Sequence, residues 1–71
     1  MIYVLTYAKI MPGTPSGYIS DLLENAFTDP KKAEKSFNNM PLNTEYFRKE
    51  MWTINPDNGT RRLLKEKRFD G

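Results

Sequence analysis

Carboxylate pairs are what this sequence offers for acid–base chemistry, because it contains neither histidine nor cysteine. Without those residues there is no Ser-His or Cys-His nucleophile pair, no imidazole or thiolate metal ligand and no disulfide. Two pairs remain. Asp21 and Glu24 share one side of a helix if residues 18–27 are helical, and that side faces solvent. Glu45 and Glu50 are five apart in a predicted strand and so point to opposite faces. Neither pair is framed by glycines or by apolar neighbours that would lift a carboxyl pKa toward neutrality. Both read as solvated surface groups. The expectation is a non-enzyme with no catalytic residue, cofactor or metal.

Other spacings that could bind a ligand also fail on inspection. Asn55-Pro56-Asp57-Asn58-Gly59 superficially matches a calcium loop, but the EF-hand spacing places Ile54 and Pro56 at its first and third ligand positions. Gly13 and Gly17 are followed by no Gly-Lys-Ser/Thr, so they do not cradle a phosphate. Asn58-Gly59-Thr60 fits a glycosylation sequon, and since no segment reads as a signal peptide the match is expected to be accidental. The apolar start, Met1 to Ala8, lacks a basic leader and is too short for a membrane helix. That start and the absence of cysteine suit a cytoplasmic protein with no membrane partner.

The distribution of charge is more informative. Residues Thr60 to Gly71 hold five of the eleven cations, namely Arg61, Arg62, Lys65, Lys67 and Arg68, against Glu66 and Asp70. This stretch carries +3, and the 59 residues before it sum to −1. A clustered charge makes a field that an even mixture does not, and here it favours an anionic partner. Tyr18 and Trp52 join the five cations as candidate partner-binding residues, since Tyr and Trp combine an apolar ring with a polar atom. The competing reading of the basic stretch is an edge guard, in which Lys and Arg block edge-to-edge aggregation. Acidic residues are not clustered, which disfavours mimicry of nucleic acid.

These residues must be positioned by a small fold. Seventy-one residues make a single domain, 1–71, of marginal stability, with packing or a second subunit as the available stabilisers. Nine aromatic residues make a compact core feasible. Ile2 to Lys9 is rich in β-branched and aromatic residues on both faces, the pattern of a strand inside a sheet. Met11 to Gly17 reads as a loop. Thr28-Asp29-Pro30 signals a helix start, and the helix over 29–39 turns Ala33, Phe37 and Met40 to one face. Thr44 to Ile54 and Thr60 to Phe69 form a hairpin about the Asn55–Gly59 turn. In the returning strand, strict alternation puts Arg61, Lys65 and Lys67 on one face and Arg62, Glu66 and Arg68 on the other. Glu45 and Glu50 are expected to pair with some of these cations. Tyr3, Tyr7, Phe47, Trp52 and Phe69 read mainly as core. Tyr18 to Phe27 stays open: Ile19, Leu22, Leu23, Ala26 and Phe27 follow a helical spacing, which a strand would break with Asp21 and Asn25.

The run Ala26-Phe27-Thr28-Asp29-Pro30-Lys31-Lys32-Ala33-Glu34-Lys35 resembles a pattern in small uncharacterised proteins, many from phages and mobile elements. In those, a strand ending in Phe-Ser/Thr-Asp precedes a helix carrying Lys-Ala-Glu. Their opening strand is similar to Ile2–Tyr7, and their closing strand is similar to Thr44–Trp52. The resemblance implies that residues 18–27 form a strand, and it brings no known binding residue. The fold class expected is therefore α+β, a small antiparallel sheet with one helix on a face, in the order β-β-α-β-β, with β-α-α-β-β as the alternative. The function expected is a non-catalytic protein-binding module, a phage-type accessory protein or inhibitor acting on a host protein such as a defence nuclease. The alternative is RNA or single-stranded-DNA binding through the basic C-terminal strand.

Overall fold

A computed structural model of the chain describes residues 1–10 and 19–70. The element order is β1 (Ile2–Ile10), β2 (Ile19–Phe27), α1 (Pro30–Asn39), β3 (Tyr46–Ile54) and β4 (Arg61–Arg68). The four strands form one antiparallel sheet in the order β2-β1-β3-β4, with α1 packed on one face. This is the α+β arrangement β-β-α-β-β. The expected loop Met11–Gly17 and Tyr18 lie outside the described residues. Among the described residues, no helix is long and apolar enough to cross a membrane.

The helix begins where the sequence signals it. Asp29 is the N-cap, its Oδ1 accepting the Lys31 amide at 2.9 Å, and Pro30 occupies the first helical turn. Pro lacks only an N–H that would be unpaired there. A ten-residue helix is too short to be stable alone in water, so packing must hold it. Ala33 and Phe37 supply that packing at 0 % and 4 % exposure, against Leu5, Tyr7 and Met51 of the sheet. Met40, the C-cap, joins the same core. Tyr7 then ties β1 to the segment after the helix by donating its hydroxyl to the Pro41 carbonyl at 3.0 Å.

The periodicity of residues 19–27 favours a helix, but the chain is extended there. Pairing with β1 holds it extended, and a β-bulge fits the apolar spacing to the strand. Leu5 pairs with Asn25 and Thr6 with Leu23, so Glu24 is the extra residue on β2. One inserted residue shifts the alternation, and a strand can then carry apolar residues at helix-like spacing. Leu22 and Phe27 fall on the helix side of the sheet, whereas Leu23 and Ala26 fall on the other.

The β3–β4 hairpin turns as expected. The Asn55 amide donates to the Thr60 carbonyl, its carbonyl accepts the Gly59 amide, its Oδ1 accepts the Asp57 amide, and Asn58 Oδ1 accepts the Thr60 amide. Gly59 has φ 72°, the conformation that a glycine adopts without steric cost.

Candidate partner interface

β4 is an edge strand, and seven of its eight residues are exposed, so four of its five cations stand in solvent and Lys65 is half-buried. The strict alternation expected for it is overturned by a second bulge. Met51 pairs with Lys65 but Trp52 pairs with Leu63, leaving Leu64 extra. Residues before and after the bulge therefore change faces relative to a regular strand. Arg62, Lys65 and Lys67 lie opposite Thr53, Met51 and Lys49 on the helix side. Arg61, Leu63, Glu66 and Arg68 lie opposite Ile54, Trp52, Glu50 and Arg48 on the far side.

The five cations differ in what they already touch. Lys65 Nζ lies 2.5 Å from Glu34 of the helix and 5.3 Å from the Phe37 ring centre. Arg68 meets Glu66 at 2.6 Å on its own strand. The hydrogen bond from Arg68 holds the Glu66 carboxyl below the usual carboxylate range, and the same bond raises the guanidinium pKa. Arg61, Arg62 and Lys67 make no ion pair among the described residues. The expected pairing with Glu45 and Glu50 takes another form. Glu45 precedes β3 and meets Lys9 of β1 at 3.1 Å. Glu50 lies directly opposite Glu66, and Arg48 directly opposite Arg68. These like-charged rows are balanced along the strands, by Arg48–Glu50 at 3.6 Å and Arg68–Glu66. The quartet is neutral as a whole, so the excess charge of β4 rests on Arg61, Arg62 and Lys67.

The helix side of this edge holds a residue that the sequence did not single out. Lys49 is 4 % exposed, and its Nζ donates to the carbonyls of Phe37 at 2.5 Å and Met40 at 2.9 Å. A cation suits this position because the last carbonyls of a helix are unpaired and partly negative. Burial lowers the Lys49 pKa, and the charges of Lys67 and Lys65 lower it further. The signal available in the sequence was a lone lysine at an inward position between Phe47 and Met51.

The sheet face opposite the helix is the second feature. Register aligns Ala26, Val4, Trp52 and Leu63 in one row across all four strands. Val4 and Trp52 are half-buried, Ala26 is exposed and Leu63 is 41 % exposed. Next to this row lies a depression of about 170 Å³ lined by Val4, Thr6, Glu50, Trp52, Ile54 and Arg61. Trp52 thus points away from the helix core, where the sequence pattern places the aromatic strand residues. Tyr3 and Tyr7 do pack on the core side, while Phe69 is 39 % exposed. Tyr18, the other aromatic candidate, falls outside the described residues. Among the described residues, no group of three or more carboxylates is placed to hold a metal ion. No family model, curated protein or solved structure matches the chain.

Proposed function

We propose that the chain is a non-catalytic protein-binding module that takes an acidic, extended segment of a partner protein along the free edge of β4. The observation that carries this reading is the split of its unpaired cations, with Arg61 on one face of the edge strand and Arg62 and Lys67 on the other. An edge strand presents unpaired backbone N–H and C=O groups to an incoming strand. The side chains of an added strand alternate between faces, so carboxylates on it can reach cations above and below the sheet.

Two observations favour a protein segment over single-stranded RNA or DNA. A nucleic-acid backbone follows one surface, and it is best served by cations lined along that surface with rings on which bases stack. Here the rings divide, with Tyr3 and Tyr7 against the helix and Trp52 on the far face. On the far face of the hairpin the row next to Trp52 is Glu50 with Glu66, so outside that neutral quartet only Arg61 is offered to phosphate there. The resemblance to phage-type proteins makes a host factor, such as a defence nuclease, the natural source of the segment, and occupation of that segment would inhibit it.

The test uses peptides of alternating acidic and β-branched residues, titrated into labelled protein. Strand addition is expected to slow amide exchange along Arg61–Arg68 and to give cross-strand contacts between peptide and β4 backbones. Tighter binding of an oligonucleotide of equal charge, with shifts centred on Trp52, would sink the reading in favour of nucleic acid.

A further inference from the structure

The row Ala26–Val4–Trp52–Leu63 crosses the whole sheet on the face away from α1, and no described element covers it. A two-layer domain normally buries both apolar surfaces that its elements create. Here one side of the sheet meets the helix core, and the other leaves Leu63 and Leu23 at 41 % and 69 % exposure. We infer that this face packs against the same face of a second copy of the chain, giving a two-fold dimer with the sheets stacked face to face.

The charges on the face select this occupant. Side chains on the far face of the β3–β4 hairpin are arranged in rows: Ile54 with Arg61, Trp52 with Leu63, Glu50 with Glu66, and Arg48 with Arg68. The Trp52–Leu63 row lies between the cationic Arg61 and the Glu50–Glu66 row, whose carboxylates are paired along the strands with Arg48 and Arg68 and have lone pairs left for a further donor. Consider a two-fold axis midway between the sheets, perpendicular to the strands and level with Trp52. It sets β4 over β4 of the second copy, reverses the strand direction, and exchanges the rows on either side of Trp52. Arg61 of each copy then faces Glu66 of the other, twice per dimer. Arg61 makes no ion pair among the described residues of the isolated chain, so it is available for this contact. Trp52 and Leu63 meet their own counterparts on the axis, as an isologous interface requires. Stacked sheets lie about 10 Å apart, a gap that such side chains fill.

A contact centred on one row of four strands, each eight or nine residues long, is expected to fall below the roughly 800 Å² per partner of a standard stable interface. The dimer is therefore weak, with a dissociation constant on the order of 10–100 µM. The backbone edge of β4 stays open in it, but Arg61 is shared: in the dimer it faces Glu66, and the edge then offers Arg62 and Lys67 to an added strand.

The experiment is sedimentation velocity on the full chain from about 1 µM to about 1 mM, a range that brackets the expected constant, with emission of the single tryptophan recorded in parallel. A monomer-to-dimer transition is expected, accompanied by a blue shift as Trp52 leaves water. Leu63→Asp should move the midpoint at least about tenfold higher, since a carboxylate would be desolvated on the axis. Ala26→Glu, at an exposed site on the other edge strand, should do the same and stands in if Leu63→Asp unfolds. Arg61→Glu and Glu66→Arg should each weaken the dimer, and the double exchange should recover much of the loss. Three outcomes would overturn the inference: a monomer at every concentration, self-association indifferent to both Leu63→Asp and Ala26→Glu, or a double exchange no better than its single variants. Acidic-peptide binding by Ala26→Glu, altered on β2 at the opposite edge of the sheet, reports on the β4 edge alone, so failure of one proposal is distinguishable from failure of the other.

Discussion

The ammonium of Lys49 donates to the carbonyl of Phe37 at 2.5 Å and sits 4.6 Å from the centre of the ring of that same residue. One cation from the sheet thus holds both the backbone end of the helix and its main core side chain. Lys49→Met keeps the length and the apolar stem, but it leaves the Phe37 and Met40 carbonyls without this donor. It also relieves repulsion from Lys65 and Lys67. The lost hydrogen bonds are the larger effect, and the variant should be less stable by about 1–3 kcal/mol. A urea titration checks this through the midpoint at unchanged slope.

The same lysine gives the alkaline stability profile a signature. Its folded pKa lies below the ordinary 10.5, so between the two values the unfolded chain binds more protons. Its contribution to stability therefore rises with pH across that window. Tyr7 works in the opposite direction. Burial raises its pKa above 10.0, with help from Glu24 and Tyr46, so the folded chain keeps a proton that the unfolded chain loses. Its contribution falls as pH rises above 10.0. The Lys49→Met variant should consequently lose stability more steeply with alkaline pH than the parent, as read from melting temperatures in a pH series.

Phe37→Ala should cost about 3–5 kcal/mol, because it empties the centre of the helix–sheet core and removes the ring that Lys49 and Lys65 approach. For a domain of this size that is most of the available stability. Loss of chemical-shift dispersion in a proton–nitrogen spectrum is the expected result. A well-dispersed spectrum would mean that the helix is anchored elsewhere.

Gly59→Val tests the hairpin. A Cβ at Gly59 would meet no atom within 4 Å, so the penalty comes from its φ of 72° alone. About 1–3 kcal/mol of destabilisation is expected for a β-branched residue there. An unchanged thermal midpoint would show that the turn does not fix the strand register.

Replacement of Arg61, Arg62 and Lys67 by Ser should leave the fold intact, since these side chains are exposed and make no ion pair among the described residues. It should remove most of the salt dependence of acidic-peptide binding, mainly through a slower on-rate. For a nucleic-acid ligand the parent would instead lose orders of magnitude in affinity over a few-fold rise in salt. Lys65 is left in place because it pairs with Glu34 and approaches Phe37.

Some elements were legible in the sequence because their causes are local. Asp29-Pro30 starts the helix through one cap bond and one fixed φ, and both act within three residues. Asn55 to Gly59 makes its turn from its own side-chain amides and one positive-φ glycine. The apolar character of Ile2–Lys9 on both faces placed β1 inside the sheet, and the basic composition of β4 placed it at an edge. The tertiary structure alone decided which way the strand residues point. Glu24 and Leu64 are bulge residues, and a bulge depends on the partner strand, whose register no local spacing contains. Hence residues 19–27 carry a helical period in an extended chain, and Arg61 and Arg62 exchange the faces that alternation assigns them. Lys49 in the core and the row Ala26–Val4–Trp52–Leu63 follow from the same cause. Each joins residues far apart in the chain, and they meet only once four strands have settled into register.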